Sequence, residues 1–124
     1  MSNFKTLQTW KKADDLVVKI YDKSKDFPRY ELYGLKSQLR RASVSVCANI
    51  AEGSGRGSLG DYIRFLLIAK GSLSEVEYLL HLAHRLGYLS SQEYDDFASL
   101  QSETAKMLTG LIKAKQRQQR QAPK

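Results

Sequence analysis

One cysteine, two prolines and two histidines in 124 residues already exclude several kinds of protein. Cys47 stands alone, so no internal disulfide forms, and the chain reads as one suited to a reducing compartment. Pro28 and Pro123 are the only prolines, which leaves nearly the whole chain free to enter helices. Long apolar runs are missing: the longest, Phe65 to Ala69, has five residues, far short of the ~20 that cross a bilayer. The opening MSNFKTLQTW holds no apolar stretch of the kind a secretory signal needs. These absences predict a cytoplasmic protein without membrane contact, able to bury a core without disulfides or a metal.

Acids are missing from one place in particular. Residues 113–124 hold Lys113, Lys115, Arg117, Arg120 and Lys124 and no Asp or Glu, which is +5 of the total +7. The division this suggests is a bundle domain over 1–112 and a basic tail over 113–124. The tail reads either as a contact for nucleic acid or acidic partners, or as a solvated, frayed end.

What the chain has instead is helical periodicity. Leu35, Leu39, Ala42, Val46 and Ile50 follow steps of four, three, four and four, one face of a 3.6-residue helix. Beside that face runs a polar line, Gln38, Arg41, Ser45, Asn49 and Glu52. Val44, Ala48 and Ala51 lie nearly opposite the apolar face, where a surface helix normally carries charge. A helix apolar on two sides needs two packing partners, so these three are expected at a contact with a neighbouring subunit. The helix is expected to stop at Gly53-Ser54-Gly55-Arg56-Gly57.

Three more helices flank it. The first spans Leu7 to about Lys25 on Leu7, Trp10, Ala13 or Asp14, Val17, and Ile20 or Tyr21, and Phe27-Pro28 ends it. The third opens on Ser58 with Asp61 three residues on. It carries the seam Tyr62, Leu66, Ala69, Leu73, Val76, Leu80 and Ala83, stops at Gly87, and holds an interior Gly71 that a close helix approach explains. The fourth opens on Ser90 with Glu93 and carries Phe97, Leu100, Thr104, Met107, Leu111 and Ala114. With short connections and no strand-like alternation, the chain predicts an all-α, up-down-up-down four-helix bundle.

Candidate chemistry is sparse. The glycines at 53–57 lack the preceding strand and the Gly-Lys-Ser/Thr of a phosphate loop, so a plain turn is preferred, although Arg56 and the start of the next helix suit an anion. Glu77, His81 and His84 share a helix, but no Glu-x-x-His motif occurs, and no metal or cofactor is expected. Cys47 has no neighbouring histidine and reads as an inert thiol. For the polar line the preferred reading is a satisfied structural network in which Asn49 and Glu52 hold the second helix to the third, with Arg64 meeting Glu52. The alternative is a ligand or RNA surface.

RRASVSVCANIAEGSGR followed by DYIRFLLIAKGSLSEVEYLL resembles the four-helix bundle family of 23S rRNA intervening-sequence proteins. The likeness runs from Phe4-Lys5-Thr6-Leu7-Gln8-Thr9-Trp10 through Glu31-Leu32-Tyr33-Gly34-Leu35 to Met107-Leu108-Thr109-Gly110-Leu111-Ile112 and leaves out the tail after Lys113. It implies a small bacterial bundle that assembles into rings, commonly pentamers, with nucleic-acid binding as the usual proposal for its role. The accessory protein of diversity-generating retroelements looks similar in fold and binds a reverse transcriptase and nucleic acid as a basic ring. Members usually carry proline at the position of Cys47, so α-helical hydrogen bonding is expected to be less interrupted here.

The combined expectation is a non-enzymatic homo-oligomer, a pentamer by resemblance, that binds nucleic acid, RNA before DNA, through Lys36, Arg40, Arg41, Arg56, Arg64, Lys113, Lys115, Arg117 and Arg120. The alternative is a protein-interaction scaffold, such as an accessory to a reverse transcriptase, with Val44, Ala48 and Ala51 at the interface.

Overall fold

Two serines and one glycine set the helix ends that organise the chain. Ser58 Oγ accepts the Asp61 amide at 3.1 Å and opens one helix. Ser90 and Glu93 form a full capping box: Ser90 Oγ accepts the Glu93 amide at 3.1 Å, and Glu93 Oε1 accepts the Ser90 amide at 2.8 Å. Gly87, at φ +81°, ends the helix before it. Tyr88 N–H reaches back to Ala83 O at 2.9 Å and Gly87 N–H to His84 O at 3.0 Å. That paired closure requires the left-handed backbone that glycine adopts without strain.

The structure, a computed structural model, describes residues 3–122; Pro123 and the tail cation Lys124 lie outside the described residues. It holds α1 (Gln8–Ser24), α2 (Leu35–Ser54), α3 (Leu59–Arg85) and α4 (Ser91–Gln121), with short 3-10 turns at Phe4–Thr6 and Arg29–Glu31. No strand occurs among the described residues. Each helix packs on its neighbours in sequence and α1 closes the square against α4, so the fold is the up-down-up-down bundle. No helix among the described residues is long and apolar enough to cross a membrane.

The predicted faces of α2 and α3 form the core. Leu35, Leu39, Ala42, Val46 and Ile50 are all buried, as are Leu66, Ala69, Leu73, Val76, Leu80 and Ala83, with Tyr62 half-buried. The seams of α1 and α4 match the expected ones in part: Ala13, Ile20, Phe97 and Thr104 are buried as expected, and the rest of each line is turned. In α1 the buried line is Thr9, Ala13, Leu16, Ile20 and Ser24. Leu7, Trp10 and Val17 only flank it, and Trp10 packs edge-on against Phe4 at 5.1 Å. In α4 the buried line is Phe97, Gln101, Thr104, Leu108 and Ile112, while Leu100, Met107, Leu111 and Ala114 are half-buried. Each of these helices carries apolar side chains on both flanks of its core line, and packing against the neighbouring helices decides which flank is buried.

One further difference concerns a helix end. α4 does not fray after Lys115 but runs on to Gln121, although its last buried residue is Ile112. α2 ends at Ser54, inside the glycine-rich stretch where its stop was expected, and includes Gly53. A Cβ on Gly53 would lie 2.9 Å from Phe65 Cβ and 3.2 Å from the Tyr62 carbonyl, so this glycine lets α2 and α3 touch at their junction. Gly71 behaves oppositely. Nothing lies within 4 Å of the position its Cβ would take, so within the chain no helix approaches it.

Candidate nucleic-acid interface

The α2–α3 turn brings cations onto aromatic rings. Four residues join the helices, and the turn tightens through Gly55 N–H to Glu52 O at 3.2 Å and Arg56 N–H to Gly53 O at 3.1 Å. Arg56 then folds back, donating to Glu52 Oε1 at 2.7 Å and laying its guanidinium 4.7 Å from the centre of the Phe65 ring. Arg64 covers the same ring at 4.6 Å and faces Asp61 at 3.8 Å. The last turns of α4 lie alongside: Lys115 Nζ sits 5.3 Å over the Tyr62 ring, and the Gln119 amide borders Gly60. Lys113, Arg117 and Arg120 are exposed on the same helical extension. Phe65 and Tyr62 were absent from the sequence-level site, although their i, i+3 spacing on the opening turns of α3 carries the signal.

The nine expected cations therefore do not form one surface. Arg56, Arg64, Lys113, Lys115, Arg117 and Arg120 gather at the end of the bundle where α2 meets α3. Lys36, Arg40 and Arg41 lie toward the other end of α2, a helix of 20 residues, which at 1.5 Å per residue is ~30 Å long. Arg40 is a structural clamp rather than an open cation. Its Nε donates to Ser24 Oγ at 2.8 Å, its Nη2 to the Tyr21 carbonyl at 3.0 Å, and its guanidinium lies 4.5 Å over the Tyr21 ring. It satisfies a carbonyl of the last turn of α1, where a cation also complements the helix dipole. Lys36 and Arg41 make no ion pair among the described residues.

The polar network is smaller than expected and differently paired. Asn49 Nδ2 donates to Ser45 O at 2.8 Å and to Ser45 Oγ at 3.1 Å, and Ser45 Oγ meets Ser72 Oγ of α3 at 2.9 Å. Glu52 and Arg64 are not its members. Glu52 is exposed and takes Arg56, four residues on, while Arg64 turns to Asp61. The short in-register partners are nearer than anything across the turn, and exposure leaves neither charge in need of a buried partner. Ser72, a small residue on α3, gave no sequence-level sign of its role.

The remaining candidates resolve simply. Burial pushes the Cys47 thiol up to about 12, with the Asp14 carboxylate adding to the effect, so the thiolate that chemistry needs is suppressed. His84 stacks on Tyr94 at 4.7 Å and 13°, and His81 is exposed. No group of three or more His, Cys, Asp or Glu among the described residues is placed to hold a metal ion. Val44 is 40% exposed and lines a groove of ≈ 430 Å³ between α1 and α2 with Val17, Val18 and Tyr21. Ala48 is exposed and Ala51 half-buried along the same side of α2. The larger cleft, ≈ 830 Å³ between α1 and α4, is floored by Phe97 and Leu100 and spanned by Lys12–Glu103 at 3.2 Å and Lys23–Glu93 at 2.8 Å.

No curated protein matches the sequence. Among solved structures, a protein with unknown function from the S23 ribosomal protein family of Bacteroides thetaiotaomicron is similar at 28% identity and TM-score 0.79, over 85% of this chain and 98% of that one. The sequence profile described as 23S rRNA-intervening sequence protein matches residues 5–110, which takes in α1 to α3 and α4 as far as Gly110. This chain belongs to the 23S rRNA-intervening sequence protein family.

Proposed function

We propose that this protein is a non-enzymatic, cytoplasmic bundle that binds nucleic acid, RNA before DNA, electrostatically and as a homo-oligomer, with a pentameric ring as the expected assembly. The observation that carries the reading is the unbroken course of α4 to Gln121. It turns Lys113, Lys115, Arg117 and Arg120 from a loose tail into a rigid basic rod beside Arg56 and Arg64. Cations held in place lose less freedom on meeting a phosphate chain, and each phosphate neutralised releases counterions. A ring repeats this end around an axis, so weak contacts add by multivalency.

The test is a salt titration with unrelated single-stranded RNAs of equal length. Intact protein should bind all of them with similar affinity, weakening steeply with salt. A variant with Lys113, Lys115, Arg117 and Arg120 all replaced by Gln keeps the helix and should flatten the log–log slope by about 3, at ~0.7 per lost contact. Absence of binding at ~50 mM salt, where such contacts are strong, leaves the second reading in its place. That reading is a protein-interaction scaffold, such as an accessory to a reverse transcriptase, and the apolar groove at Val18, Tyr21 and Val44 favours it.

A further inference from the structure

We propose that the connection between α1 and α2 is a stacking site for unpaired nucleobases, with Tyr30 and Tyr33 as its platform. The proposal rests on the nucleic-acid reading above and adds the place where bases, rather than phosphates, are held.

After Pro28 the chain winds in successive tight turns. Glu31 N–H donates to Pro28 O at 2.9 Å, Leu32 N–H to Arg29 O at 3.1 Å and Gly34 N–H to Glu31 O at 3.0 Å. Tyr30 lies within the 3-10 turn Arg29–Glu31, and Tyr33 follows it on the same short connection, just before α2. Tyr33 is 93% exposed and Tyr30 78%, more than any other large hydrophobic side chain described. Neither ring is packed against an aromatic ring or a cation among the described residues.

The surroundings select the partner. Arg29 adjoins Tyr30 in the turn, Lys36 lies three residues past Tyr33, and Arg85 ends α3 just before Tyr88, whose hydroxyl meets that of Tyr30 at 3.2 Å. None of these three cations has an ion pair among the described residues. The nearest acids are held in place: Asp26 faces Lys23 at 3.9 Å, a lysine it shares with Glu93, and Glu31, which keeps its charge, accepts from Leu35 N–H and the Tyr88 hydroxyl. Exposed π faces with cations free of ion pairs beside them are the chemistry that single-stranded nucleic acid meets in its binding grooves. The same Glu31 bonds hold the turn in shape, so the platform is ordered before a base arrives. The site lies at the opposite end of the bundle from the α4 cations.

The experiment uses the full chain, a single-stranded RNA carrying 2-aminopurine, and the duplex of the same sequence. Wild type should quench the aminopurine, and Tyr33→Ala should not. Tyr33→Ala should weaken single-strand binding about 5- to 150-fold, the range for one base on one ring, with an unchanged salt slope and unchanged duplex binding. Tyr33→Phe, which keeps the ring, should behave as wild type. Circular dichroism checks that both variants fold. The proposal is overturned if Tyr33→Ala binds like wild type, loses single strand and duplex equally, or has a lower mass by light scattering, which assigns the ring to contact with a second copy. RNA binding by wild type without quenching removes stacking and leaves the electrostatic reading standing; no binding to any RNA at low salt removes both.

Discussion

Glu31 and Tyr88 tie together the two connections at one end of the bundle, 57 residues apart in sequence. The Tyr88 hydroxyl donates to Glu31 Oε2 at 2.8 Å, while Glu31 Oε1 accepts the Leu35 amide at 2.9 Å and caps the first turn of α2. One carboxylate thus starts a helix and fastens the loop that ends α3. The hydroxyl of Tyr30, the charge of Glu31 and partial burial all raise the Tyr88 phenol above its ordinary value of 10.

The first prediction follows from that shared carboxylate. Glu31→Ala should cost about 1 kcal/mol, as loss of a helix cap does. Tyr88→Phe should lower the melting temperature in the wild-type background and have no further effect in Glu31→Ala, which a double-mutant cycle measures. In a spectrophotometric titration, the phenol missing from Tyr88→Phe should be one that ionises above pH 10. Additive losses from the two substitutions are the outcome that breaks the link.

The second prediction sets two glycines against each other. Gly53→Ala forces a methyl to within 2.9 Å of Phe65 Cβ and 3.2 Å of a backbone carbonyl. The helices must shift, at about 1–3 kcal/mol. Gly71→Ala places its methyl in open space and removes backbone freedom from the unfolded chain. It should stabilise by up to about 1 kcal/mol. Urea melts read both, and opposite signs are expected.

Those glycines also mark where sequence reading succeeds and where it stops. The face of α2 and the seam of α3 were legible because apolar side chains at helical spacing have one way to be buried. Ser58, Ser90 and Gly87 were legible because capping is local chemistry, decided within one turn. The seams of α1 and α4 were legible only in part, because each helix has apolar side chains on both flanks of its core line and only the neighbouring helices choose between them. The Glu52–Arg64 pairing failed for a related reason: several exposed partners lay within reach, and sequence does not rank them. Ser72 and the Glu31–Tyr88 bond were not legible, since each depends on residues brought together by packing. The cation set divided for the same reason; a list of charges carries no information about which end of a rod each one occupies.

The third prediction concerns acid. Lys23 Nζ, 2.8 Å away, and the Ser90 amide hold the Glu93 carboxyl down to about 2, from an ordinary 4.5. A carboxyl depressed in the folded state contributes its full stabilisation above pH 4.5 and loses it as pH falls toward 2. The gap in melting temperature between wild type and Glu93→Gln should therefore be widest near neutral pH and close as pH approaches 2. Because the pair is solvent-accessible, high salt should narrow the gap at neutral pH as well. A gap that is constant with pH assigns the effect of the substitution to the capping geometry alone.

The last prediction tests the outward side of α2. Val44, Val18 and Tyr21 are 40%, 61% and 39% exposed, and they line one groove across two helices. Monomer surfaces mostly scatter such residues, and their grouping here, beside Asp22 and Lys25, is the reason a contact is expected. Ala48 and Ala51 continue it with side chains small enough for a neighbouring backbone to come close. In the isolated chain a carboxylate at position 44 is hydrated and costs little. At a subunit contact it is desolvated with no partner, and the contact fails. Val44→Glu should therefore lower the mass measured by light scattering while the helical circular dichroism stays as in wild type. Val44→Lys should do the same, since the loss of apolar burial does not depend on the sign of the charge. RNA affinity should fall with the mass, because fewer basic ends then share one strand. Wild-type protein that is monomeric at high micromolar concentration refutes the contact. A Val44→Glu variant that keeps its mass moves it to another face of the bundle.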